Sequence, residues 1–182
     1  MMNSQSNAVN SQKLYHISED PNIKVFEPRP SPSYFQDIQG DVVFAISDEL
    51  LHNYLLPREC PRVTFYSKEN TTDTDRIQFL SEAQKYVVAI ENKWLSIIKQ
   101  TTLYCYELPA DIFTILDEGA GYYISHEIVT PISVTTISDI KSELQRRNVE
   151  LRLLSSLQAI AEEVSTSSLQ FSLIRMRNAE SN

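Results

Sequence analysis

Apolar residues fall in short blocks along this chain, and most blocks have the length of a β-strand rather than of a helix. Asp41 to Ile46 is a nearly continuous apolar run, which predicts a strand covered on both faces. Leu14 to Ile17, Val63 to Tyr66, Tyr86 to Ile90, Tyr122 to Val129 and Ile132 to Ile137 read as further strands. They are rich in the β-branched and aromatic side chains that suit a pleated surface. Thr101 to Leu108 alternates, with Leu103, Cys105 and Glu107 on one face and Tyr104, Tyr106 and Leu108 on the other. Val149 to Leu153 ends the series as an edge strand.

Helical stretches are fewer. Ser47 followed by Asp48 and Glu49 predicts a capped helix over Asp48 to Leu56, stopped by Pro57, with the two acids facing the positive end of the helix dipole. Asn92 to Lys99, Ile140 to Arg147 and Leu157 to Val164 read as helices, and a short one is expected over Ile77 to Ala83. The polar run Ser67 to Arg76 predicts an exposed loop. Leu169 to Ala179 reads as a tail carrying Phe171, Ile174, Arg175 and Arg177. Strands outnumber helices and do not interleave with them regularly, so the expected class is α+β: a mixed, mostly antiparallel arrangement with flanking helices.

One domain over residues 13–182 accounts for the length, and residues 1–12, rich in Asn, Ser and Gln, predict a disordered tail. That tail lacks the basic start and apolar centre of a secretory signal, and no apolar run reaches the roughly 18 to 20 residues of a membrane span. A cytoplasmic protein is expected. The net charge of −8 argues against bulk nucleic-acid or membrane binding, since both polyanions would be repelled, while leaving room for a local cationic pocket. Cys60 and Cys105 form no disulfide framework and no zinc spacing, and His16, His52 and His126 are scattered, so no metal is expected.

The candidate chemistry gathers near the beginning. His16 lies on a strand, where a neutral imidazole offers one donor and one acceptor, suited to a ribose hydroxyl or equally to a neighbouring backbone group. Arg29, Arg58 and Arg62 sit in loops stiffened by Pro28, Pro30, Pro57 and Pro61. A guanidinium held in place suits bidentate phosphate binding; pairing with Glu59 to fasten the loop is the competing use. Cys60, flanked by arginines, is either an activated thiolate or an inert buried thiol. Tyr15 and Tyr123 are candidates to stack a flat ring.

The segments LYHISEDPNIKVFEPR, VVFAISDE, PRECPRVTFY, LYCYELPADIF, DEGAGYYIS and IRMRNA together resemble a bacterial family of unknown function over nearly everything after the tail. More remotely, a Tyr-His strand, a short helix, a VVFAI strand and a late YYISHEIVTPISV segment resemble the order of elements in the ADP-ribosyltransferase-like fold. That resemblance implies NAD or a related nucleotide as ligand, His16 as a residue that holds it, and Glu127 as the carboxylate that steers the acceptor. The expected activity is ADP-ribosyl or phosphoribosyl transfer. The alternative is a non-catalytic interaction protein with the same fold, and a third reading is chemistry at Cys60.

Overall fold

The computed structural model describes residues 12–31 and 38–180. The expected tail, but for its last residue, and the end of the first proline-rich loop lie outside the described residues.

Among the described residues, ten strands form two sheets. Six of them, β6-β7-β2-β1-β5-β8, make an all-antiparallel sheet from β1 (Leu14–Ser18), β2 (Val43–Ser47), β5 (Leu103–Leu108), β6 (Thr114–Asp117), β7 (Tyr122–Ser125) and β8 (Ser133–Ile137). The other four, β10-β3-β4-β9, comprise β3 (Arg62–Tyr66), β4 (Tyr86–Glu91), β9 (Val149–Leu154) and β10 (Gln170–Ile174). Only the β4–β9 pair is parallel there. The α+β class with mostly antiparallel sheets therefore holds.

Alternation decides the layers. One face of the larger sheet (Ile46, Leu103, Cys105) and one face of the smaller (Val88, Ile90, Val149) enclose the central core. Leu50, Leu51 and Leu55 of the 3-10 helix Asp48–Tyr54 and its C-cap, and Ile140 and Leu144 of α3 (Ile140–Arg146), fill the space between them. The outer face of the smaller sheet, with Val63, Phe65, Val87 and Ala89, is covered by α4 (Gln158–Ser165) through Leu157, Ile160, Ala161 and Val164. Loops carrying Phe26, Phe113 and Val129 cover the outer face of the larger sheet.

Several elements depart from the sequence expectation. The helix placed at Ile77 to Ala83 runs earlier, as α1 (Asp73–Phe79), because the Thr72 side chain caps it by accepting from the Asp75 backbone N–H at 3.2 Å. The expected polar loop thus contains a cap and its first-turn acids. After β2 the chain forms a 3-10 helix, and Ser47 makes no side-chain cap bond; its backbone N–H donates instead to Gly121 O at 2.9 Å. β7 stops at Ser125, and the expected C-terminal tail contains β10. β6 has only four residues, so its local signal is weak, whereas α2 (Leu95–Ile98) lies within the helical stretch expected at Asn92 to Lys99.

Candidate functional site

The site begins where two neighbouring strands part. β1 pairs with β5 along all its residues, from Leu14 with Leu108 to Ser18 with Tyr104. With β2 it pairs only as Leu14–Ser47 and Tyr15–Ile46. Beyond that fork, the Phe44 carbonyl of β2 meets the His16 ring, whose Nδ1 lies 3.3 Å from the oxygen. Two residues further back, Val42 exchanges backbone hydrogen bonds of 2.9 and 3.0 Å with Arg29. A side chain therefore takes the place of a strand at this point.

Because the carbonyl only accepts, the Nδ1–Phe44 contact places the proton on Nδ1 and leaves Nε2 as a bare acceptor. No hydrogen bond to Nε2 is made among the described residues. Burial holds the imidazole below its ordinary pKa against the contrary pull of the Phe44 carbonyl, and the charges of Arg58 and Arg29 act in the same direction as burial. Near neutral pH the ring is thus neutral. Phe26 packs on it with centroids 4.7 Å apart and meets Tyr106 edge-on at 5.4 Å.

The loop over this face hangs on Tyr106. Its hydroxyl, on a residue 1% exposed, donates to Asp20 O at 2.7 Å and accepts from the Ile23 N–H at 3.2 Å. Tyr106→Phe leaves both backbone groups without this partner and is expected to cost about 1–2 kcal/mol, read as a lower urea midpoint at unchanged m-value.

The sequence candidates divide. Arg29 pairs with Val42, two residues before the Phe44 whose carbonyl meets His16, and the charges of Arg58 and Arg29 both act on the ring. Arg58 is 79% exposed, its Nε is 4.0 Å from Glu59 Oε1, and its backbone N–H is fixed by Glu19 Oε1 at 2.8 Å. Tyr123 pairs with Ala45 on β2 and packs, half-buried, against the cluster beneath the Phe26 loop. Tyr15 faces the opposite way and lines a cleft of about 400 Å³ with Thr135, Glu143, Arg146 and Arg147. Period two separates it from His16.

Arg62 is not a loop-borne fork but the first residue of β3, 2% exposed. Its Nη1 donates to Pro57 O at 3.1 Å and Cys60 O at 2.9 Å, so it fastens its own loop through carbonyls and not through Glu59. Glu127 is exposed; its N–H donates to Ser125 Oγ at 3.2 Å. Its carboxylate has no partner among the described residues and meets none of the other candidates. Phe26 packs on His16, and Tyr54, Tyr122 and Arg175 surround Arg62; Phe26 and Tyr54 carry no local sequence signal, because their places follow from the tertiary fold.

Cys60 is fully buried, and burial pushes its thiol up to about 12. Cys105 is likewise pushed up to about 12 by burial. A thiol with so high a pKa is a poor nucleophile. Native protein is expected to leave both cysteines unlabelled by a thiol reagent at about pH 8, with both reacting once urea unfolds the chain; rapid native labelling of Cys60 would revive chemistry there. No group of three or more His, Cys, Asp or Glu residues is placed to hold a metal ion among the described residues. No helix among them is long and apolar enough to cross a membrane.

Residues 15–179 match the model of a family of unknown function, DUF6886, and the chain belongs to that family. No curated protein and no solved structure matches it.

Proposed function

We propose that this family member binds a ribosyl nucleotide of the NAD type at the fork between β1 and β2. His16 Nε2 accepts a ribose hydroxyl, and Arg29 and Arg58 meet the phosphates. The observation that carries this reading is the neutral His16 ring, fixed through Nδ1 on Phe44 O, with its other nitrogen unbonded among the described residues and two arginine charges in reach. Preorganisation of this kind lowers the ordering cost of binding. The surrounding acidic chain makes a local pair of cations selective for a small anionic ligand over a polyanion.

Titration calorimetry and thermal shift with NAD and ADP-ribose test it. Saturable stabilisation is expected, since a ligand that binds only the native state raises its melting temperature. His16→Ala, with the fold checked by circular dichroism, should weaken binding at least tenfold, and Arg29→Ala and Arg58→Ala should each weaken it and flatten its salt dependence. Absence of any shift at millimolar nucleotide, where even weak specific binding registers, ends the proposal.

The isolation of Glu127 favours binding without transfer, the reading of a non-catalytic interaction protein. Nicotinamide release from NAD separates the two. Release that disappears in Glu127→Gln argues for ribosyl transfer; nucleotide binding with no release argues for a binding module.

A further inference from the structure

Arg62 is a buried guanidinium without an anion. Among the described residues its hydrogen bonds run from Nη1 to two neutral carbonyls. The Nε–H is buried with no acceptor, and no carboxylate comes within ion-pair distance among the described residues. Arginine keeps its proton in any protein environment, so the charge remains. An interior charge of this kind calls for a counter-charge.

The neighbours increase the excess. Arg175 directly follows Ile174, the residue of β10 that pairs with Arg62 on β3, and its positive charge opposes that of Arg62. It occupies the left-handed backbone region, φ 54 and ψ 29, where a non-glycine residue is strained and held by its surroundings. Its Nε lies 4.0 Å from Glu59 Oε1, beyond hydrogen-bond length. Glu59 is already engaged through Oε2, which accepts from Asn178 Nδ2 at 2.9 Å and lies 3.5 Å from Arg177. Glu59 is thus shared among Arg58, Arg175 and Arg177, while Arg62 has no carboxylate of its own among the described residues, in a chain whose net charge is −8. The Tyr54 ring lies 5.6 Å beneath the Arg62 guanidinium, and its hydroxyl donates to Tyr122 Oη at 2.7 Å.

We propose that Arg62 and Arg175 form an anion site for a phosphoryl group, with the buried Arg62, backed by the Tyr54 ring, at its base and Arg175, 21% exposed, at its rim. A pair of guanidinium groups offers more donors than one carboxylate can accept, which suits the several oxygens of a phosphoryl group. The site rests on observations separate from the fork at His16.

Thermal shift and calorimetry with inorganic phosphate and pyrophosphate, against sodium chloride at matched ionic strength, test the assignment. A saturable rise in melting temperature is expected with phosphate or pyrophosphate, and the tighter of the two reports whether one phosphoryl group or two linked ones fill the site. Arg175→Gln should raise the Kd at least tenfold. Arg175→Gly, relieved of the left-handed strain, should melt above the parent without phosphate and yet give no phosphate response. His16→Ala and Arg76→Gln should keep the response. No saturable shift in the parent, or a shift that persists in both Arg175 variants, overturns the site. Loss in His16→Ala with the Arg175 variants unaffected moves the phosphate to the fork and overturns it equally.

Discussion

Gly121→Ala is expected to destabilise the protein by about 3 kcal/mol, lowering its melting temperature by roughly 6–12 °C. Two costs combine. Gly121 lies at φ +69, in the left-handed region, which costs a residue with a Cβ about 1–2 kcal/mol. The added Cβ would also stand 2.5 Å from Ser47 Oγ, 3.1 Å from Leu50 Cδ1 and 3.2 Å from Leu50 Cβ. The serine hydroxyl can rotate aside, but Leu50, 3% exposed, belongs to a helical turn in the central core and cannot. Overpacking of this kind costs about 1–3 kcal/mol. Nor can the glycine backbone move away, since its carbonyl accepts from the Ser47 N–H at 2.9 Å and its N–H donates to Glu118 O at 3.2 Å.

Gly40→Ala is the matched control. Gly40 has a similar φ of +77, but nothing lies within 4 Å of the place an alanine methyl would take. It should lose only about 1 kcal/mol, the backbone cost less the entropy removed from the unfolded chain. Equal losses at the two glycines, measured by urea unfolding, would show that the contact with Leu50 contributes nothing. Gly119 differs again: its added Cβ meets only the flexible end of Gln170, nearest atom 2.8 Å, so substitution there should be tolerated.

Acid is expected to remove about 3 kcal/mol of stability through His52 alone. This residue is 3% exposed, with its ring 4.7 Å from that of Tyr86. Burial, seconded by the Arg147 charge, lowers its pKa to about 4 from the ordinary 6.5. The unfolded chain therefore binds a proton more readily than the folded one between these values. The protein keeps its full stability above about pH 6.5 and loses it as the pH falls towards 4, by about 1.4 kcal/mol per pH unit. His16, whose pKa is also lowered, adds to the loss in the same direction. The carboxylates held low by hydrogen bonds, Asp139 and Asp75 among them, give way at lower pH still. In urea titrations from about pH 7 down to about pH 4, His52→Gln should flatten the slope and leave the lower acid transition in place. An unchanged slope in that variant would sink the assignment.

The elements with strong local signals were legible along the chain. Asp41 to Ile46 reads as a doubly covered strand, and β2 lies between β1 and β7 with buried residues on both sides. Asp139 caps α3 through a bond from the Ser142 N–H at 2.9 Å, as its position before Ile140 suggests. The strands without a local signal are those that tertiary pairing stabilises. β6 has mostly exposed residues and an irregular register with β7, and β10 follows a run of serines that reads as loop. In α1 the signal is present but ambiguous, since Thr72 and its acids look alike in a loop and at a helix start.

For the candidate site, period two already placed Tyr15 and His16 on opposite faces. Proline-stiffened loops marked Arg29 and Arg58, whose charges act on the His16 ring. They misled for Arg62, because whether a guanidinium points out to solvent or back to the carbonyls of its own loop depends on the sheet it enters.

By itself, then, the order of apolar and polar residues determined the class of fold, the faces of the strands and which residue types were available for chemistry, because these follow from backbone geometry and solvent. Only the tertiary structure decided that β1 and β2 part after two pairs, that His16 fills the gap, and that Arg62 is buried beside Arg175 while Glu127 stands apart. Those outcomes depend on contacts between residues far apart along the chain, such as His16 with Phe44 and Arg62 with Ile174, and strand pairing and core packing select them together.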